Sequence, residues 1–393
     1  MRSGSRDRQC EEDTQVDIEE LSSLFYVDYH GDRAAFEHAV ERYAERSGRS
    51  LQLQRFALEG QDDLCVTAAE LPAREPERLL IIVTGIHGVE GYAGSALTRL
   101  LLSELLQRTD SARTGILLVH ALNPYGFAHG LRVNRNNVDL DRNCALPGQA
   151  LFATDCSAYQ RLAPILAPKR PVRSGAVARS QFVLQLLAAR ARHGETTVRM
   201  ASLGGQYVDA QGVFWGGDVV QPEIRWFQQL YTRVCPQYRE VLLVDMHTGY
   251  GERGEAYALF GRADSPSVAA CTELGVQDAA GHTRTYEVHG DLVGYCYQTA
   301  KQLAPRGVWN GVALEIGTHG LSTSQQISDL YTVVLENQLR HHLARDKHLA
   351  PRIRLAFREL FNPSAPEWRA RALRAGRHAA ENLLLGRGFL RAA

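Results

Sequence analysis

The stretch LLIIVTGIHGVEGYAGSALTRLLLSELLQR, residues 79–108, changes character twice along its length. Residues 79–83 are consecutive aliphatic side chains, a run short enough and β-branched enough to read as a strand covered on both faces. From Ser95 onward leucines return every three or four positions, which is the period of a helix. Between the two lie Gly85, Gly88, Gly91 and Gly94, in a turn that also carries His87 and Glu90. A strand, a glycine-rich turn and a helix make the opening of a βαβ unit. Four further apolar runs resemble the first: GILLVHAL (115–122), EVLLVDMH (240–247), EAYALFG (255–261) and GVALEIG (311–317). Helical patterns at 181–192 and 224–234 separate some of them. Such alternation predicts an α/β fold on a mixed, mostly parallel sheet flanked by helices.

The chain has 393 residues, with Lys+Arg and Asp+Glu equal at 44 each. That balance gives no basis for binding nucleic acid or an anionic membrane. No apolar run approaches the roughly 20 residues of a membrane-spanning helix. The first residues lack the apolar core of a secretory signal, so a cytoplasmic location is expected. Seven scattered cysteines without a C-x-x-C fit reduced thiols better than a disulfide framework or a cysteine zinc site. Residues 1–24 read as a disordered tail and 25–390 as a single domain. The segments 171–180 and 201–218 read as irregular surface loops.

His-x-x-Glu occurs three times, at His38/Glu41, His87/Glu90 and His378/Glu381. The first and last lie in amphipathic helical patterns and read as solvated faces. Only His87 and Glu90 follow a buried strand. Ligands of open α/β sheets bind beyond the carboxyl ends of the strands, where His247 and Glu315 also fall. A catalytic zinc commonly takes two histidines and one carboxylate. A lone histidine at a strand end is ordinarily structural, but the joint placement of His87, Glu90 and His247 favours a metal site. Asp245 either orients a histidine ligand or is a structural carboxylate. Glu315, inside an apolar strand, is either a general base or half of a buried ion pair. Arg132, Arg135 and Arg142 crowd LRVNRNNVDLDRN (131–143), where a guanidinium suits a carboxylate or a developing oxyanion. Arg135 reads as a surface residue.

Taken in order, His-x-x-Glu, ALNPYG (121–126), NNVDLDRN (136–143), VDMHTG (244–249) and VALEIGT (312–318) resemble the zinc carboxypeptidases and their aspartoacylase-like relatives. GGQY (204–207), GVFWGG (212–217) and EWR (367–369) are similar to a bacterial branch of that family carried as a domain of unknown function. The resemblance implies an eight-stranded mixed sheet and one zinc ion, Zn2+, held by His87, Glu90 and His247. It implies Glu315 as general base toward metal-activated water, and Arg132 at the scissile carbonyl. Arg142, with Asn143 and Asp141 beside it, falls where the family binds a substrate carboxylate. The implied substrate is a small peptide or an N-acyl amino acid, and the activity is amide hydrolysis. The chain departs from the usual Asp-Leu-Asn-Arg-Asn by having Asp141 in the third place. Two like charges about 4 Å apart at an effective dielectric near 20 oppose by roughly 4 kcal/mol. An Asp there would repel a carboxylate or partly neutralise Arg142, so either Asp141 is turned away or the chain does not read a free C-terminus in the usual manner, which shifts weight from strict carboxypeptidase toward a wider amidase or deacylase. Two other classes compete: a catalytically silent binding protein on this fold, and a nucleotide-binding enzyme, which would need G-x-G-x-x-G where this chain has a histidine.

Overall fold

The apolar runs form the centre of a seven-stranded sheet of order β1-β2-β4-β3-β5-β7-β6. The strands are β1 (Gln52–Leu58), β2 (Gln61–Leu71), β3 (Arg78–Thr84), β4 (Thr114–His120), β5 (Glu240–Gly249), β6 (Ala256–Leu259) and β7 (Val308–Gly317). This computed structural model describes residues 17–173, 175–259, 288–304, 306–344 and 346–391. Among these the sheet has one strand fewer than the resemblance implies. The four central strands, β4, β3, β5 and β7, run parallel, and the pairings outside them are antiparallel.

Alternation along each central strand divides the interior into two layers. Leu80 and Ile82 of β3, Ile116 and Leu118 of β4, and Leu242, Val244 and Met246 of β5 face one layer. Helices Tyr29–Ser47, Gly91–Glu104 and Pro366–Gly386 cover it. Leu79, Ile81, Val83, Leu117, Val119, Val241 and Leu243 face the other, under helices Pro222–Val234 and Leu292–Leu303. Burying each such side chain stabilises by about 1.5–3 kcal/mol, so both faces stay apolar until the strands end. Asp245 and His247 continue the second face of β5 beyond Leu243, and there the apolar pattern stops.

Topology sets where a ligand fits. From β3 the chain crosses to β4 on one side, and β5 returns on the other side of β3. The order reverses at β3 and β5, and a crevice opens beyond the carboxyl ends of strands at such a switch point. His87 follows β3 and His247 lies near the end of β5.

Three expectations need correction. Residues 17–23, assigned to the tail, are helical, and Leu21 and Leu24 pack against the core; residues 1–16 lie outside the described set. The segment 171–180 runs into helix Ala176–His193. The segment 201–218 turns inward: Gln206 is fully buried and its side chain ties Val208, Asp209 and Val213 into one folded loop. The expected strand 255–261 is present as β6, with residues 260 and 261 outside the described set.

Candidate metal centre

The turn after β3 reaches the site because glycines let two backbones meet. A Cβ on Gly88 would fall 2.1 Å from the carbonyl carbon of Gly126, and one on Gly91 would fall 2.3 Å from the Phe127 ring. With side chains absent there, Val89 N–H donates to the Leu131 carbonyl at 2.8 Å and the turn is pinned beneath 123–132. His87 and Glu90 then point at His247, and all three are buried.

Their donor atoms converge. His87 Nδ1 and His247 Nδ1 are 3.1 Å apart. Glu90 Oε1 is 3.1 Å from His87 Nδ1, and Oε2 is 3.2 Å from His247 Nδ1. Behind each ring stands a carboxylate, Asp139 at 3.1 Å from His87 Nε2 and Asp245 at 2.9 Å from His247 Nε2. If each Nε2–H donates to its carboxylate, both Nδ1 atoms are left with lone pairs facing each other. A proton or a cation between them resolves that opposition. Two imidazole nitrogens and a carboxylate oxygen, with outer carboxylates fixing the tautomers, match the donor set of a divalent metal.

The charges agree. Burial and Arg132 press His87 toward its neutral form, but Glu90 and Asp139 outweigh them and raise its pKa. Burial likewise opposes charge on His247, yet Asp245 and Glu90 lift it well above the usual imidazole range. Burial would raise Glu90 and Asp139, but His87 and His247 lower the first, while Arg132 and His87 hold the second far below the carboxylate range. The pocket therefore favours positive charge among its carboxylates.

Glu315 joins the cluster through strand register, since it pairs with His247 across β5 and β7 and shares its face. Tyr250 N–H donates to Glu315 Oε1 at 2.9 Å. Burial raises the Glu315 carboxyl to about 7, with His247 opposing and Glu90 adding to the rise. Arg132 Nη1 donates to Glu90 Oε1 at 3.2 Å and Nε to Asp139 Oδ2 at 3.1 Å. Its guanidinium carbon lies 6.0 Å from the ring centres of both Phe214 and Phe361.

Arg142, Asp141 and Asn143 lie deeper. Arg142 Nη1 donates to Asp141 Oδ2 at 2.7 Å, and Nη2 to the Leu203 carbonyl at 3.0 Å. Asp141 Oδ1 accepts from Leu292 N–H at 3.0 Å, at the start of helix Leu292–Leu303. Asp141 is therefore not turned away from Arg142 but in direct contact with it. Asn143 is fully buried, donating to the Gly216 and Val219 carbonyls and accepting from Gln221 N–H. Arg135 is exposed, as expected.

A profile described as "Protein of unknown function (DUF2817)" matches residues 25–375. The chain belongs to the DUF2817 family. No curated protein matches it. Among solved structures it is similar to bovine thrombin-activatable fibrinolysis inhibitor, at 11% identity and a TM-score of 0.43, over 81% of this chain and 98% of that one. Carboxypeptidase A from Helicoverpa armigera gives 14% and 0.40, over 78% and 72% of the two chains. Succinylglutamate desuccinylase from Chromobacterium violaceum gives 15% and 0.34, over 80% and 74%. The sequence resemblance to a branch of unknown function is borne out by the family match.

In this DUF2817 protein the two other His-x-x-Glu pairs are on helices, as expected. His38 and Glu41 are exposed, and Glu381 is engaged by Arg108 and Arg377. Five described cysteines are buried free thiols; Cys10 and Cys271 lie outside the described residues. No described helix is long and apolar enough to cross a membrane. Sequence reasoning missed Asp139 behind His87 and the aromatic rings beside Arg132. Asp139 stands inside the quoted VDLDRN, but nothing local signals a contact with a residue 52 positions away.

Proposed function

We propose that this protein is a zinc-dependent hydrolase of an amide bond in a small peptide or an N-acyl amino acid. The observation that carries the reading is the convergence of His87 Nδ1, His247 Nδ1 and Glu90, each imidazole backed by its own carboxylate, with Glu315 beside His247 in strand register. Zinc held by those three side chains supplies Lewis acidity to a carbonyl and to water.

The remaining work falls to the chain's own groups. Tyr250 N–H holds Glu315 Oε1, which orients the carboxylate and leaves Oε2 to take a proton from the attacking water. A carboxyl raised by burial toward neutrality both accepts that proton and gives it up to the departing nitrogen. Arg132 is anchored through Nε and Nη1. Its Nη2 donates to the carbonyl oxygen as negative charge develops there. Asp139 and Asp245 fix the ring orientations of His87 and His247. A library of peptides and N-acyl amino acids, assayed on purified protein before and after chelation and zinc restoration, tests the reading. Turnover that survives complete metal removal, or a protein that binds zinc and turns over nothing, rejects it.

A further inference from the structure

We infer that helix Ala176–His193 docks the protein onto an anionic lipid bilayer, with the helix lying in the headgroup plane. This helix is apolar on two opposite faces. Phe182, Leu186 and Ala189 are its buried residues, and they pack into a core cluster shared with helices Ser157–Leu166 and Thr323–His342. Successive residues advance by about 100° around a helix, so Val177, Ser180, Leu184, Leu187, Ala188 and Ala191 fall within one arc of about 100° on the side away from that core. Val177 is 73% exposed, Leu184 66% and Leu187 46%, and Ala188 and Ala191 are exposed beside them. Ser180 is the one polar side chain in the arc. A surface helix ordinarily turns polar residues outward. Contiguous apolar side chains left there mark a surface that meets something.

Charge selects the occupant. The chain as a whole is balanced, yet residues 156–194 carry seven Lys and Arg and no Asp or Glu. All seven basic residues are exposed. By the same helical spacing, Arg179 and Arg190 border one edge of the apolar arc and Arg192 the other. Lys169, Arg170 and Arg173 precede the helix, and Glu195 just beyond it is paired with Arg190. A second copy joined by two-fold symmetry would present the same patch. It would set these arginines against their own counterparts, with no carboxylate on the stretch to answer them. An acidic protein would need a groove shaped to the helix. A bilayer needs none: the apolar ridge enters the boundary of headgroups and acyl chains, and the flanking guanidiniums reach the phosphates. Each basic side chain near an anionic leaflet strengthens binding roughly fivefold. Their spread over the helix and the segment before it suits a flat surface. No described helix is long and apolar enough to cross a membrane, so the contact is peripheral.

Vesicle flotation of the full-length protein tests this, and neither zinc nor turnover enters it. One set of vesicles is phosphatidylcholine alone, and the other adds an equal share of phosphatidylglycerol. Binding is expected to be at least about tenfold tighter to the second set and to weaken as salt rises. Leu184→Ser combined with Leu187→Ser is expected to weaken it about tenfold, and Arg179→Gln combined with Arg192→Gln about thirtyfold. Neither pair is expected to move the thermal midpoint, because these side chains stand outside the core. Leu184→Trp is expected to show emission shifted to the blue on the anionic vesicles as the ring leaves water. It changes one surface residue, so it decides the question even where a double variant loses stability. Equal binding to the two sets of vesicles, wild-type binding in either double variant, or an unshifted Leu184→Trp emission overturns the inference. So does a dimer that the paired leucine substitutions dissolve, which would give the stripe to a second copy. Preference for duplex DNA over the vesicles overturns it as well, by giving the arginines to nucleic acid.

Discussion

His87 and His247 meet through Nδ1 because each Nε2 is already committed to a carboxylate. Outer-shell carboxylates of this kind are worth about 10–100-fold in metal affinity. Asp139→Asn and Asp245→Asn are each expected to weaken zinc binding by that order, as measured by competition with a chromogenic chelator. Normal affinity in both variants would mean that the rings are oriented by something else. Glu315 separates from this group by its role. Glu315→Gln keeps the shape and the Tyr250 contact, so it is expected to retain full zinc content while kcat falls about 10²–10⁴-fold, the usual worth of a general base. Loss of zinc along with activity would make Glu315 a structural partner of the cluster. At this scale the sequence was informative where a residue stood out from its surroundings. His87, Glu90, His247 and Glu315 are polar groups at the ends of apolar runs, and their types and order mark them. Asp139 and Phe214 stand in polar or glycine-rich segments where nothing distinguishes them, and only folding brings them to His87 and Arg132.

Elements bring these residues together by register and by close approach. The parallel pairing of β5 with β7 puts His247 beside Glu315, and a slip of one residue would turn Glu315 into the opposite apolar layer. The glycine turn after β3 depends on contact with the backbone at Gly126. Gly88→Ala is therefore expected to destabilise by about 1–3 kcal/mol, the range for overpacking a filled interior, and to weaken zinc binding as the turn shifts. Denaturant titration of the zinc-free variant measures the first effect; an unchanged midpoint would show that the turn has room to move. The same contrast between buried and half-buried elements explains which strands were legible. The central strands are aliphatic on both faces and announce themselves as runs. β1 (QLQRFAL) and β2 (QDDLCVTAAEL) mix polar and apolar residues because they form an antiparallel hairpin at one side of the sheet, with β1 largely exposed. The segment 201–218 looked like a surface loop for a related reason. Its glycines and polar residues suggest solvent, whereas Gln206 folds it inward by satisfying its backbone from within.

For the whole molecule, the site concentrates buried charge whose balance depends on pH. Glu315, raised to about 7 from an ordinary 4.5, binds more protons in the folded than in the unfolded chain between those values. Its contribution to stability therefore falls as pH climbs through that window. His87 and His247, raised above 6.5, contribute stability that is full below that value and is lost as pH rises through their folded values. Glu90 and Asp139 are lowered, so their contribution is present above the ordinary carboxylate values and fades as pH drops through the lowered ones. From pH 5.5 upward the site thus makes the zinc-free protein progressively less stable. Zinc reverses the sense of this dependence, because it needs the histidine nitrogens without their protons and binds more tightly as pH rises. A ligand that binds only the folded state at 100 times its Kd stabilises by about 2.7 kcal/mol, and that increment shrinks wherever protons compete. Calorimetric scans with and without zinc are accordingly expected to show a larger zinc-induced rise in thermal midpoint at pH 8 than at pH 5.5, with His247→Ala abolishing it at both. A rise that is equal at the two pH values, or that persists in His247→Ala, would place the metal somewhere other than between these two histidines.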